Sequence, residues 1–254
     1  MPLLSAAEKR VRDMLTASIY TDIGSRNVNE DSVGTTQSAC GQGFFLCDGL
    51  GGHGMGDAAS SLVVDVMKDQ FGKAYDLSGF LGPAFQASQD VLLAEQKLRG
   101  ATKKMKTTGT ALVTDAKNAY IGHIGDSRVY VFRRGKVWKR TLDHSIPQML
   151  VISGEIRESE IRHHPDRNIV LRVLGIEWDE PMYDLMAPLP LRKCQAFLLC
   201  SDGFWENIEE KDMEDLLKRS HTVDEWLQRM AAVVKANGAG TNMDNNSAIA
   251  VWNK

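Results

Sequence analysis

The spacing of apolar residues changes its period along the chain, and the changes mark out the elements. Phe44-Phe45-Leu46-Cys47 is a short unbroken apolar run and reads as a buried strand. Over residues 58–71, Leu62, Val63, Val66, Met67 and Phe71 recur at helical spacing, which predicts an amphipathic helix. Residues 80–98 form a second helix candidate. Four short β-like segments follow, at 108–114, 119–124, 128–133 and 136–140. Asp115-Ala116-Lys117-Asn118 and Arg134-Gly135 separate them as hairpin turns would. Residues 146–164 are polar and irregular, with room for two short helices. A strand is predicted at 195–200 and helices at 209–218 and 223–235. The last of these is amphipathic through Trp226, Leu227, Met230, Val233 and Val234. A final strand covers 247–252. Strands in meanders with helices in pairs between them make an α+β pattern, not a strict βαβ alternation.

Composition bounds the function without naming it. A chain of 254 residues, 43% hydrophobic, can bury one sizeable core, so a single domain over 1–254 is expected. The formal net charge of -3, with both signs mixed along the chain, argues against a nucleic-acid partner. No window approaches the roughly 18 successive apolar residues of a membrane span. The first 16 residues carry Glu8, Lys9, Arg10, Arg12 and Asp13 and have no apolar stretch of the kind a secretory signal needs. Cys40, Cys47, Cys194 and Cys200 form no C-x-x-C pair and read as reduced thiols, which fits a cytoplasmic protein.

The candidate chemistry lies in where the acidic residues fall. Asp48 and Asp202 each directly follow an apolar strand and precede a glycine. Asp126 follows Ile124-Gly125. Glu30-Asp31 and Asp244 lie just before β-like segments. One such Asp is ordinary, since it starts a turn or caps a helix. Several, each at the end of a buried strand where an uncompensated carboxylate is costly, point to convergence on a cation. Carboxylates, carbonyls and water suit Mg²⁺ or Mn²⁺, whereas zinc would want spaced His or Cys. Gly49 would let a backbone carbonyl approach the ion closely. Two hard cations sharing one aspartate would activate a water for in-line attack on a phosphoryl group, with no protein nucleophile. A cysteine phosphatase needs arginine at the sixth position after its cysteine. Here those positions are Leu46, His53, Cys200 and Glu206. There is also no G-x-S-x-G elbow.

At these residues the chain resembles the PPM (type 2C) serine/threonine phosphatases of bacterial style. Arg26-Asn27-Val28-Asn29-Glu30-Asp31 is similar to their R-x-x-N-E-D motif, and Asp48-Gly49-Leu50-Gly51-Gly52-His53 to D-G-x-G-G-H. Thr107-Thr108-Gly109-Thr110-Ala111 resembles a small-residue strand entry, and Gly125-Asp126-Ser127-Arg128 resembles G-D-S-R. Asp143-His144-Ser145 and Arg167-Asn168 resemble motifs around a mobile flap at about 145–166. Ser201-Asp202-Gly203 and Asp244-Asn245 resemble the closing motifs. The matches run in family order over roughly residues 18–252.

The resemblance implies a four-layer αββα sandwich, with two central, mostly antiparallel sheets flanked by helix pairs. It implies hydrolysis of phosphoserine and phosphothreonine in proteins at a binuclear Mn²⁺ or Mg²⁺ centre. Asp48 would bridge the ions, with the Gly49 carbonyl as a ligand. Asp202 and Asp244 would complete one shell, and Glu30 and Asp31 would hold the other ion. Asp126, shared with Asp202, would help bind a weaker third ion. Arg26 would grip the substrate phosphate, as a planar guanidinium can do bidentately. The implied partners are phosphorylated proteins, targets of a Ser/Thr kinase, in signalling, with neither nucleic acid nor membrane involved.

Eukaryotic members carry a His directly after the Asp-Gly, and Leu50 takes its place here, so that general acid is missing. His53 is near in sequence. Three rival readings exist. Gly49-Leu50-Gly51-Gly52-His53-Gly54 satisfies the dinucleotide pattern G-x-G-x-x-G, but Asp48 would repel a pyrophosphate and the chain lacks Rossmann alternation. A catalytically silent phosphoprotein-binding member would have lost a metal aspartate, and all are present. A partner-switching phosphatase specific for one regulatory protein shares the same motifs.

Overall fold

The computed structural model describes residues 15–50 and 54–253. Strand β1 (Thr16–Asp22) leads into β2 (Asp31–Ser38) and β3 (Gly41–Asp48), followed by helices α1 (Gly56–Lys73) and α2 (Leu81–Leu98). A meander then runs through β4 (Gly109–Thr114), β5 (Asn118–Ile124), β6 (Arg128–Arg133) and β7 (Lys136–Arg140). The excursion that follows holds α3 (Ile146–Ser153) and a 3-10 helix (Glu158–His163). Two-residue strands β8 (Asp184–Leu185) and β9 (Leu189–Pro190) precede β10 (Ala196–Cys200). Helices α4 (Asp202–Trp205), α5 (Glu210–Arg219) and α6 (Val223–Gly238) and strand β11 (Asn246–Trp252) complete the described chain.

The strands form two antiparallel sheets. One has the order β1-β11-β10-β6-β7; the other runs β2-β3-β4-β5-β8, with β9 also paired to β5. Period 2 explains how they stack. In β3, Phe44 and Leu46 turn towards the other sheet and meet Val129, Val131, Phe197, Leu199, Ile249 and Val251. Phe45 and Cys47 turn the other way, onto Val63, Met67, Phe71 and Phe85 of α1 and α2. The second sheet repeats this, with Tyr130, Phe132, Leu198 and Ala250 packed on Met213, Leu217, Trp226 and Met230 of α5 and α6. Strands buried on both faces must be apolar throughout, which is why they read as unbroken runs. Three cores between four layers give the expected αββα sandwich.

Most elements fall where the apolar pattern predicts. The pattern does not show β1, because Thr-Ala-Ser-Ile-Tyr-Thr-Asp is an edge strand with largely solvated side chains. The excursion is closed at its base. Ser145 bridges Val170, and the Leu171 N–H donates to the His144 carbonyl at 2.7 Å, so a compact lobe spans the predicted flap.

Candidate metal centre

Alternating strand directions bring the acidic residues to one end of the sandwich. Asp48 ends β3 in register with Asp31, the first residue of β2. Asp126 follows the end of β5, and Asp202 follows the end of β10. Asp244 lies two residues before β11, whose Ala248 pairs with Cys200. Glu30, Asp48, Gly49, Asp126, Asp202 and Asp244 line one open cleft of about 620 Å³, together with Arg26 and Leu50. Asp31 lies beneath it, 8% exposed.

The backbone around Asp48 is held tightly. Its N–H donates to Thr108 Oγ1 at 2.9 Å, and its carbonyl accepts from Thr108 N–H and Thr107 Oγ1, both at 2.8 Å. Gly49 is required by close approach, since a Cβ there would lie 2.2 Å from the Gly56 carbonyl oxygen. Gly125, which sets the turn into Asp126, has φ +103, a conformation suited to glycine. Asn245 ties the two ends of the chain together. Its Oδ1 accepts the Glu30 N–H at 2.8 Å, and its Nδ2 donates to the carbonyls of Ile23 and Val28.

The carboxylates are short of positive charge. Burial first, and then Asp31, Asp202, Asp126 and Asp244, hold the Asp48 carboxyl far above the usual carboxylate range. Burial first, and then Asp202 and Asp143, do the same to Asp126. Burial and then Asp244 push Asp202 up to about 6. Burial lifts Asp31 to about 7, against hydrogen bonds from Ser247 and Ser201. The Ser201 hydroxyl donates to Asp31 Oδ2 at 2.8 Å, while Asp31 Oδ1 is buried with no hydrogen-bond partner. A buried oxygen without a hydrogen-bond partner, among mutually repelling carboxylates, fits coordination of a divalent cation. The donor set is oxygen throughout, which fits Mn²⁺ or Mg²⁺.

Arg26, the expected phosphate grip, lines the cleft and forks onto a carboxylate. Its Nε and Nη2 donate to Asp244 Oδ1 and Oδ2 at 2.9 and 2.8 Å. The pair is half-exposed, at 44% and 46% of the side chains. Arg26 thus stands at the cleft mouth, occupied by a carboxylate. His53, Gly51 and Gly52 lie outside the described residues, as does the segment 1–14. His163 and His164 close the 3-10 helix, His163 exposed and His164 accepting the Asp166 N–H at Nδ1.

A second titratable cluster, His123, His144 and Asp184, has ligand atoms within 4.8 Å of one another. Its hydrogen bonds oppose metal binding. The Gly125 N–H donates to His144 Nδ1, so the neutral ring carries its proton on Nε2 and donates it to Asp184 Oδ2. The two rings stack at 4.6 Å, and burial, then His144, lowers the His123 pKa to about 4. The two imidazoles are a neutral stacked pair with the Asp184 carboxylate at their edge.

Sequence reasoning missed Glu206, four residues after Asp202, which burial and then Asp202 raise to about 7 and which accepts from Arg167 Nε at 3.2 Å. The i, i+4 spacing on a helix was the only signal available. It also missed Lys103, Lys104 and Lys106, which line the cleft.

The cysteines supply no nucleophile here. Cys47 and Cys200 are buried, and burial raises both thiols. Cys194 is also buried, and Cys40 is half-buried.

Comparison with known proteins is in accord with this site. The family model described as Protein phosphatase 2C matches residues 20–246. The chain is 32% identical over 234 residues to the serine/threonine phosphatase stp of Listeria welshimeri, covering 88% of this chain and 90% of that protein. The crystal structure of serine/threonine phosphatase Stp1 from Staphylococcus aureus superposes with a TM-score of 0.86 at 28% identity, over 95% of this chain and 96% of that one. The catalytic domain of the serine threonine protein phosphatase PstP, solved in complex with 2 manganese ions, superposes with a TM-score of 0.76 at 27% identity, over 94% of this chain and 97% of that one.

Proposed function

Because this chain belongs to the protein phosphatase 2C family, we propose that its acidic cleft is the catalytic centre of a metal-dependent serine/threonine protein phosphatase. The observation that carries the reading is the convergence of buried, mutually repelling carboxylates around an unpartnered Asp31 oxygen. Glu30, Asp48, Asp126, Asp202 and Asp244 lining one cleft, with Asp31 beneath it, supports an active centre over a silent, binding-only member of the fold.

Two Mn²⁺ or Mg²⁺ ions, when bound, supply an activated water and neutralise phosphoryl oxygens. The chain's own residues hold and orient. Asp48 would serve both ions, with the Gly49 carbonyl beside it. Asp202 and Asp244 would hold one ion, and Glu30 and Asp31 the other. Asp126, with Asp202, would form a weaker third position. Arg26, forked onto Asp244, would bind the substrate phosphate, since its planar geometry suits a phosphate as well as a carboxylate. Buried thiols keep covalent chemistry out. Leu50 lines the cleft where an imidazole acid stands in eukaryotic members, so Leu50 itself supplies no proton.

Residues 1–254 act as a single catalytic domain, and Asn168 and Val170, just after the flap, flank the cleft. The substrates are phosphorylated proteins, targets of a Ser/Thr kinase in cytoplasmic signalling. Among the described residues no helix is long and apolar enough to cross a membrane. The test is phosphate release from phosphothreonine and phosphotyrosine peptides with Mn²⁺ and with EDTA. Mn²⁺-dependent turnover favouring phosphothreonine is expected. Turnover that survives EDTA, or a preference for phosphotyrosine, contradicts the reading.

A further inference from the structure

We infer that Lys103, Lys104 and Lys106 form an anion subsite on the cleft rim that selects phosphorylated segments carrying a second negative group, a reading that rests on the phosphatase assignment. The loop bearing these lysines runs alongside the metal-centre segment. The Leu50 N–H donates to the Lys106 carbonyl at 2.9 Å, and Thr107 bridges Gly49. All three lysines line the same cleft as Asp48, with Lys103 and Lys104 exposed and Lys106 half-buried.

The loop is built and held, not merely solvated. The buried Gln96 amide donates to the carbonyls of Met105 and Gly175, both at 2.7 Å, and its oxygen accepts the Lys103 N–H at 3.2 Å. The Met105 side chain is fully buried beneath it. Lys103 has φ +66, a left-handed conformation that L residues other than Asn and Asp rarely take. Strain of this kind persists where the surroundings over-determine it, and it concentrates at functional sites.

Charge balance identifies the ligand. Lys103, Lys104 and Lys106 form no ion pair among the described residues, and what separates them from other unpaired lysines, such as Lys117 and Lys193, is their shared place on the rim of the cleft that Asp48 lines. An extended substrate advances about 3.3 Å per residue, so side chains within a few positions of the phosphorylated residue pass over this rim. Ammonium groups on flexible stems recognise charge, not a planar fork. Carboxylates or a second phosphate therefore both satisfy them, and neutral or basic flanks do not.

The test is binding of non-hydrolysable phosphonate peptides to the full chain with Mn²⁺, followed by fluorescence anisotropy at low and high salt. One peptide is flanked by Asp and Glu, one by a second phosphonate, one by Ala and one by Lys. The first two should bind about tenfold tighter than the Ala peptide at low salt, an advantage that shrinks as salt screens exposed pairs. The Lys103→Gln/Lys104→Gln/Lys106→Gln variant should lose the advantage, and Lys104→Glu/Lys106→Glu should favour the Lys-flanked peptide. Tighter binding of the doubly phosphonylated peptide alone assigns a second phosphate as the ligand; tighter binding of both assigns bare charge. Equal binding of the four peptides, or a preference that survives in both variants, overturns the subsite. Mn²⁺-dependent turnover of p-nitrophenyl phosphate, expected to be unchanged in both variants, tests the underlying phosphatase reading separately.

Discussion

Asp126 and Arg128 stand two residues apart in one motif, and their surroundings differ in kind. Arg128 is buried with a full set of partners. It forks onto Asp143 at 2.8 and 2.6 Å, donates to the Tyr130 hydroxyl at 2.8 Å, and lies 3.4 Å over the Trp205 ring. Tyr130 passes the chain of hydrogen bonds to Glu210, which also receives Arg162. Asp126 is buried to the same degree, but its carboxyl faces other carboxylates. One region neutralises its own charge and the other waits for charge from outside. Residues of one motif therefore need not share a role, and the test is whether burial is compensated within the chain.

The comparison breaks first at Asp48. Asp48→Asn should lower Mn²⁺-dependent turnover by about 10³-fold or more, roughly 4 kcal/mol. The same change should raise the melting temperature of the metal-free protein, because folding must protonate the Asp48 carboxyl against its ordinary value and an amide carries no such cost. Retained activity, or a lower metal-free melting temperature, would contradict the distinction. The opposite region should behave in reverse. Arg128→Met leaves the buried Asp143 only the more distant Arg140, at 3.6 Å, and should cost about 3 kcal/mol in chemical denaturation, with Asp143→Leu added to it recovering much of the loss. If the double variant is no better than the single, the pair is not self-contained.

Acid should help the metal-free protein. Folded Asp202 and Asp31 are raised to about 6 and about 7, above the ordinary value of 3.8. Between about pH 4 and 7 the folded chain thus holds more protons than the unfolded one, and stability falls as pH rises through that window. In EDTA the melting temperature should be about 5 °C higher at pH 5.5 than at pH 8, and Mn²⁺ should abolish the difference. A flat profile in EDTA would mean that the carboxylates are compensated within the chain. The smallest effect belongs to Arg26, half-exposed and paired with one carboxylate. Arg26→Ala should raise KM up to about tenfold with a lesser loss in kcat, and a fall in kcat alone would move Arg26 from binding to chemistry.

The layers were legible because strands covered on both faces must be apolar without interruption, and the carboxylates were legible because each stands where a strand begins or ends. What stayed hidden depends on register and on side-chain reach. Arg128 and Asp143 lie 15 residues apart and meet only because β6 and its neighbours place them together. The Arg26–Asp244 pair joins opposite ends of the chain. β1 carries no apolar run, being an edge strand. Lys103, Lys104 and Lys106 leave no mark in the apolar pattern, and only the Gln96 clamp and the shared cleft single them out.

The central claim is that bound cations compensate the acidic end of the sandwich. Anomalous diffraction at the manganese edge from crystals grown with Mn²⁺ tests it most directly. At least two peaks are expected in the cleft, flanking Asp48 and within coordination distance of Asp31 and Asp202. Density confined to His123 and His144, or no ion beside Asp48, would contradict it.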